Sequence, residues 1–286
     1  MIWNLHGTHA KDGELAELVG LNYKHFIIRL QEGGELQTHR GVLKHNDLIG
    51  KPWGSQVFSH MGKPFFILQP ALADLLKDTP RSTQILYPKE IGFLLVSMGI
   101  GPGQQVVEAG TGSGALTTAM AYAVGSTGHI TTYEVRPEMQ TIAIRNLKRL
   151  GLEENVTFKL KDIGEGFEEG GVDALFLDLP NPYDYISQVR SALKLGGFFG
   201  SILPTTNQVS RLLIALRQYD FAFIDVVEIL LRYYKPEPDR LRPTDRMVAH
   251  TGFLIFARPV IFDKDAKEGK ELLDEVSSSS QGNDNM

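Results

Sequence analysis

The residues of this chain best suited to chemistry begin with Glu108-Ala109-Gly110-Thr111-Gly112-Ser113-Gly114, followed twenty residues after Gly114 by Glu134. Alternating glycines let a backbone turn with positive φ and lie close against a ligand. The second acid closes the run Gly128-His129-Ile130-Thr131-Thr132-Tyr133-Glu134, where it is placed to accept both hydroxyls of a ribose. Together these residues point to a nucleoside-bearing cofactor. A bare Gly-x-Gly-x-x-Gly would leave the choice of cofactor open. Glu108, two residues before the first glycine, adds negative charge where a diphosphate needs a helix N-terminus free of it. The same charge suits the cationic sulfonium and α-amino group of S-adenosylmethionine, so that cofactor is expected in preference to a dinucleotide. The plain alternative, a glycine-rich turn with no ligand, does not account for the spaced acid.

A second stretch, Asp178-Leu179-Pro180-Asn181-Pro182-Tyr183, follows an apolar run and is stiffened by two prolines. Methyl transfer to a base nitrogen needs the nucleophile in line with the sulfonium methyl, held by stacking and by hydrogen bonds along its edge. For adenine N1, a carboxylate that accepts from the exocyclic amine orients the ring and can take a proton once the ring becomes cationic. Asp178 suits that role and Tyr183 suits the stacking, although a strand-end Asp can also simply cap a turn. Asp162 can reach the amino group of a cofactor adenine, or cap a loop. In the segment 232–246, Arg232, Lys235, Arg240, Arg242 and Arg246 interleave with Tyr233 and Tyr234. That mixture supplies phosphate and stacking contacts to RNA, and equally describes a solvated charged loop. His6 and His9 lack a third ligand, so no metal is expected.

These groups need a scaffold, and the apolar pattern describes one. Val106-Val107 reads as the end of a buried strand, with a helix starting near Ala115. Helices over 139–150 and 207–219 alternate with strands at 156–160, 172–178 and 197–203. Two last strands, 222–231 and 251–257, have no clear helix between them. This is a doubly wound α/β sheet with an antiparallel edge strand. Residues 1–75 differ: short β-type runs at 23–30, 55–58 and 64–68, separated by turn signals, predict a small β-barrel domain. Its Lys24, Arg29, Arg40, Lys44, His45 and Lys51 fit phosphate contacts or an ordinary charged surface. A helix over 70–77 and another over 91–98 lead into the glycine strand. The expected division is therefore 1–75, a cofactor-binding domain over 76–262, and a polar tail over 263–286 that reads as disordered.

Composition narrows the classes. The 286 residues are 42% hydrophobic and 22% charged, as in an ordinary globular protein. There is no cysteine, which excludes disulfides and thiolate metal sites. No apolar run approaches the roughly 20 residues of a membrane span, and the N-terminus lacks the pattern of a signal peptide, so a cytoplasmic location is expected. The net charge of −5 argues mildly against nucleic acid, but seven acids against three lysines in the tail account for −4 of it.

Four stretches in this order carry a resemblance: 81–90 (Arg-Ser-Thr-Gln-Ile-Leu-Tyr-Pro-Lys-Glu), the glycine stretch 107–117, Asp178 to Tyr183, and 242–254 with its His250-Thr251-Gly252-Phe253-Leu254. Together they resemble the tRNA (adenine-N1)-methyltransferase family, which modifies the T-loop adenine at tRNA position 58. The glycine motif is shared widely, whereas the Gln-Ile-Leu-Tyr-Pro-Lys and His-Thr-Gly-Phe-Leu stretches are more specific. The resemblance implies a catalytic-type subunit, a class I methyltransferase fold, tRNA as partner and a homotetramer. It implies that Gln84, Glu108, Gly110, Gly112, Ser113, Gly114, Ala115 and Leu116 surround the cofactor. Glu134 would hold its ribose and Asp162 its adenine, with Asp178 also against the cofactor and, together with Tyr183, at the reacting centre. Tyr183, Arg232, Arg240, Arg242, Arg246 and His250 would meet the substrate. Glu90 stands where Asp is usual, and Tyr183 where Trp is common. Two other readings stay open: a methyltransferase acting on protein carboxylates or a small molecule, and a non-catalytic RNA-binding subunit.

Overall fold

A computed structural model describes residues 7–21, 24–80 and 86–262. Gln84, His6, Tyr23 and the tail beyond residue 262 lie outside the described residues. The chain separates into two compact units, Met1–Pro80 with Arg145–Glu153, and Arg81–Ile144 with Glu154–Met286.

The first unit contains β1 (Leu15–Gly20), β2 (His25–Arg29), β3 (Glu35–Thr38), β4 (Gly41–Lys44), β5 (Gln56–Phe58), β6 (Pro64–Leu68) and α1 (Leu72–Asp78). Among the described residues its ladders are an antiparallel sheet of order β2-β1-β6-β5 and a separate β3-β4 hairpin. The expected barrel is thus not closed by ladder hydrogen bonds. Leu18, Leu43, Val57, Phe65 and Ile67 form its core, with Phe26 edge-on to Phe65 at 6.4 Å. The apolar pattern gives no signal for β1, because Leu15, Ala16 and Leu18 are all buried and the run does not alternate. Its one acid, Glu17, is also buried and is matched by His25 Nδ1 at 2.6 Å. Residues 145–153 join this unit through side chains: Arg149 pairs with Asp78 at 2.6 Å, and Asn146 donates to the Pro80 carbonyl at 3.1 Å.

The second unit contains α2 (Pro88–Ser97), β7 (Gln105–Ala109), α3 (Ala115–Val124), β8 (His129–Glu134), α4 (Pro137–Leu150, whose last turns fall in the first unit), β9 (Val156–Leu160), β10 (Val172–Leu177), α5 (Ile186–Ala192), β11 (Leu193–Leu203), α6 (Thr206–Gln218), β12 (Phe221–Val227), β13 (Tyr234–Lys235), β14 (Arg242–Pro243) and β15 (Phe253–Pro259). Its main sheet has the order β12-β15-β11-β10-β7-β8-β9. Strands β11, β10, β7, β8 and β9 pair in parallel, while β15 runs antiparallel to both β11 and β12. This is the doubly wound class I arrangement. The antiparallel strand lies one place in from the edge, so β12 is again parallel to the rest. Central strands such as β10 are apolar without alternation because helices cover both faces; Ala174, Leu175, Phe176 and Leu177 are fully buried.

Strand β12 ends at Val227, four residues sooner than its apolar run suggests. A register shift between Ala222 and Asp225, with Phe223 at φ 54°, bends the edge. Beyond Val227 the chain leaves the sheet as an arm that returns at β15. Because β15 is antiparallel, the arm begins and ends at the carboxyl edge of the parallel strands.

Backbone hydrogen bonding continues past the strand ends. Gly110 N donates to the Tyr133 carbonyl, Asp178 N to that of Ala109, and Lys161 N to that of Glu134, at 2.9, 2.9 and 3.1 Å. Gly110 has φ +97°, and a Cβ built on it would lie 2.2 Å from the Asp178 carbonyl oxygen. Gly50 also has positive φ, +82°, but open space around it. Gly110→Ala should therefore cost about 3 kcal/mol or more, combining left-handed strain with a backbone clash, against about 1 kcal/mol for Gly50→Ala. Urea denaturation of the two variants measures the difference.

Candidate active site

The carboxyl ends of β10, β7, β8 and β9 deliver, side by side, Asp178, Gly110, Glu134 and Asp162. Ala109, Gly110, Glu134, Val135, Asp162 and Ile163 line one cleft, completed by Tyr133, Lys161, Leu179, Pro180, Asn181 and Tyr185. Its volume is about 200 Å³, below the ~300–1,000 Å³ usual for drug-sized ligands, so it suits a nucleoside-sized group. Val135 and Ile163 follow the two acids and give the cleft apolar surface. An adenine amino group can be offered Asp162, whose Oδ1 also accepts from Gly164 N at 2.8 Å.

Glu134 is buried and its carboxylate is heavily used. Oε2 accepts from Gly112 N at 2.9 Å, and Oε1 from Val135 N and Arg136 N at 3.0 and 3.1 Å. Arg136 adds a two-pronged contact, Nε to Oε1 at 3.0 Å and Nη2 to Oε2 at 3.2 Å. Burial alone would raise the pKa of Glu134, but the Arg136 guanidinium and the backbone N–H groups of Gly112 and Arg136 outweigh it, and the pKa falls below the usual value. A charged carboxylate with two parallel acceptor positions is what a vicinal diol requires. Those positions are the ones the guanidinium fork now takes.

Glu108 differs from expectation. Its carboxyl lies beneath the loop, 1% exposed, where Thr117 and Thr132 hydroxyls donate to the same Oε2 at 2.5 and 2.7 Å. Burial, despite those two donors, raises its pKa from 4.5 to about 8. At neutral pH it is mainly protonated, so it does not supply the negative charge that the spacing suggested. It instead ties β7, α3 and β8 together under the glycine loop. Gly112 offers its N–H to Glu134, while Ser113, Gly114, Ala115 and Leu116 are buried and help build the loop without lining the cleft.

Asp178 keeps surface open to water, yet desolvation of its carboxyl, with the charge of Glu134, raises its pKa from 3.8 to about 6. Such a group exchanges a proton readily near neutral pH. Tyr183 does not line the cleft. It is half-buried against the core, with the Arg211 guanidinium 5.7 Å from its ring centre and 3.3 Å from its hydroxyl. Tyr185, two residues on, does reach the cleft; a turn over Pro182–Tyr185 decides between the two, and nothing in the local sequence does.

On the arm, Arg232, Arg240, Arg242 and Arg246 are exposed and make no ion pair among the described residues, whereas Lys235 pairs with Asp245 at 2.7 Å. Tyr233 and Tyr234 are more than half exposed. His250 is not free: Nδ1 lies 2.6 Å from Glu228 Oε1 and Nε2 2.9 Å from the Pro204 carbonyl. Two acceptors require both ring protons, and these contacts raise its pKa. Both contacts latch the neck of the arm, and the ring stays exposed. Arg211 and Tyr185 were missed by sequence reasoning; only the turn and helix α6 bring them to this face.

Comparison with known proteins then places the chain. Residues 65–245 match the family described as tRNA methyltransferase complex GCD14 subunit, and residues 11–57 match TrmI-like N-terminal. The chain is 36% identical over 260 residues to the tRNA (adenine(57)-N(1)/adenine(58)-N(1))-methyltransferase TrmI of Methanocaldococcus jannaschii, covering 82% of this chain and 91% of that one. Among solved structures it resembles a SAM-dependent O-methyltransferase from Thermotoga maritima, with TM-score 0.85 and 41% identity over 92% of this chain and all of that one. It also resembles the tRNA (m1A58) methyltransferase TrmI from Aquifex aeolicus, with TM-score 0.77 and 34% identity over 89% of this chain and all of that one.

Two measurements probe the acids. The folded pKa of Glu108 lies above its ordinary 4.5. Its stabilising contribution is therefore full below 4.5 and is lost as pH climbs through about 8. Glu108→Gln lacks that titration, and its urea midpoint should fall less than that of the wild type between pH 5 and pH 8. Arg136→Met removes the guanidinium fork, and adenosine should bind about five-fold tighter by calorimetry, the worth of one half-exposed ion pair. Unchanged or weaker binding would mean the fork does not compete with a diol.

Proposed function

The chain belongs to the family of the tRNA methyltransferase complex GCD14 subunit, and on that premise we propose that it transfers a methyl group from S-adenosylmethionine to N1 of the adenine at position 58 in the tRNA T-loop. The observation that carries this reading is the alignment of Asp178, Gly110, Glu134 and Asp162 at one sheet edge. Gly110 lets the loop lie directly against the Asp178 main chain where any Cβ would clash, and Glu134 keeps the charge a ribose needs. S-adenosylmethionine, when bound, supplies an electrophilic methyl group on a sulfonium. Glu134 would hold the ribose hydroxyls, Asp162 the adenine amino group, and the Gly110–Gly114 backbone would lie against the cofactor; Gln84 is assigned to its methionine part.

Asp178 is the proposed catalytic residue. Its carboxylate accepts from the exocyclic amine of the target adenine and so aims N1 at the methyl group. Once N1 carries the methyl the ring is cationic, and Asp178, with a pKa near 6, takes the proton released from the amine. Tyr183 with Arg211 above it offers a surface for stacking the extruded base. Arg232, Arg240, Arg242 and Arg246, interleaved with Tyr233 and Tyr234, give an RNA backbone unpaired cations and aromatic faces.

The finer points are also part of this proposal. The functional division is residues 1–75, 76–262 and a polar tail. Self-association as a homotetramer is supported by the exposed Leu230, Leu231, Leu241 and Val248 on the arm. A tRNA substrate implies the cytoplasm; among the described residues no helix is long and apolar enough to cross a membrane. The description of the Thermotoga maritima neighbour favours one rival, methyl transfer to an oxygen of a protein carboxylate or small molecule.

Labelled methyl transfer to unmodified tRNA transcripts separates the readings. Label should depend on the adenine at position 58, and Asp178→Ala should lower kcat by about 100-fold or more while binding of the cofactor persists. Label indifferent to the base change would move the target. Tight cofactor binding with no label on any tRNA would favour the rival.

A further inference from the structure

Outside the cleft, a buried ionic cluster joins two distant parts of the sequence. Lys89 lies in the first turn of α2 with its side chain only 7% exposed. Its Nζ donates to the Ile229 carbonyl at 2.6 Å and to Thr251 Oγ1 at 2.9 Å, and lies 2.9 Å from Glu90 Oε1. The Thr251 hydroxyl donates in turn to Glu90 Oε1. The side chain of Glu90 is 2% exposed, and its Oε2 has no hydrogen-bond partner among the described residues. Burying a lysine and a carboxylate costs more in lost hydration than a surface pair does, and apolar residues of similar size would often hold as well. A lysine in the first turn of a helix is also on the wrong end of the helix dipole. General stability is therefore a poor explanation of the cluster. Its geometry suggests another: Ile229 and Thr251 are the two ends of the arm, and one ammonium group grips both.

The arm itself has little to hold it. Between those ends its contacts are local: a two-rung pairing of β13 with β14, the Thr244 N to Tyr233 carbonyl bond at 2.9 Å, turn bonds from Glu237 N and Arg240 N, Thr244 Oγ1 donating to the Tyr233 and Arg246 carbonyls, and the Lys235–Asp245 pair. Most of its side chains are exposed. The Glu228–His250–Pro204 contacts close the same neck from the solvent side. We infer that Lys89, Glu90 and Thr251 are positioning residues, a buried lock that sets the direction in which the arm leaves the sheet and hence where Arg232, Arg240, Arg242 and Arg246 meet the RNA. Among the described residues the lock touches neither the cleft lining nor Asp178. It should govern affinity for the nucleic acid and leave cofactor binding and the transfer step alone. The link to RNA rests on the function proposed above; the link to arm order does not.

The test uses the full-length protein with Thr251→Val, which removes the shared hydroxyl, Lys89→Met, and Thr251→Ser as the conservative control. In Thr251→Val and Lys89→Met, arm amides such as Thr244 should exchange hydrogen at least about 10-fold faster while sheet amides keep their protection. The KM for tRNA should rise about 10-fold with kcat within about two-fold, and the affinity for S-adenosylhomocysteine should stay within about two-fold. Thr251→Ser should restore both exchange and KM. Unchanged arm exchange in the two variants overturns the lock, as does a parallel loss of cofactor affinity, which would mark a general structural role. Faster arm exchange in an enzyme that methylates no tRNA would sustain the lock and sink the tRNA reading instead.

Discussion

The backbone contact between Gly110 and Asp178 is the constraint on which the site depends. Two parallel strands end together, and their hydrogen bonding runs one residue further, so the Asp178 carbonyl occupies the place of a Cβ on residue 110. Only glycine tolerates both that approach and the left-handed backbone. The consequence reaches beyond the turn. It brings the loop over β7 against the acid that follows β10, and the same continuation of the ladder sets Glu134 and Lys161 in line on the other side. Relative positions at this edge are thus fixed by main-chain bonds, which deform far less than side chains would.

Within this frame, three acids close in space have three different proton affinities. Glu108, sealed beneath the loop, is held protonated up to about 8 by burial, against the pull of two hydroxyl donors. Glu134 is equally hidden from water but meets a guanidinium and three backbone N–H groups, and it stays charged. Asp178 has neither protection nor full burial and sits near 6. A neutral acid, a charged acid and an acid that titrates near neutral pH are thereby separated by surroundings alone, the usual way in which one fold gives like groups different proton affinities. The protonated state of Glu108 also limits the negative charge gathered at the edge, since three ionised carboxylates there would repel one another.

The antiparallel strand β15 gives the remaining piece. Had it run parallel, its connection from β12 would have crossed to the opposite edge. Running antiparallel, it returns the arm to the edge that holds the acids, and the charged cluster at Lys89 anchors both ends there. This also accounts for a feature of the sequence that has no local explanation. The two family-specific stretches, around Tyr87-Pro88-Lys89-Glu90 and His250-Thr251-Gly252, lie more than 150 residues apart yet bond to each other directly.

What the sequence determined by itself is what depends on neighbours along the chain. Glycine spacing marks a backbone that must turn tightly, an acid twenty residues on marks the next strand end, and alternation of apolar runs with amphipathic ones marks strand and helix. From these the doubly wound sheet, the loop and the places of Glu134, Asp162 and Asp178 were legible. The first-unit strand β1 was not, because a strand covered on both faces has no alternation to read. Tertiary structure decided whatever depends on residues far apart in the chain. It buried Glu108 and so removed the negative charge expected of it, and put Arg136 across the face of Glu134. A single turn gave the cleft to Tyr185 and left Tyr183 under Arg211. Packing committed His250 to Glu228 and Pro204. Desolvation and hydrogen bonding act through space, and a linear pattern of residue types carries neither.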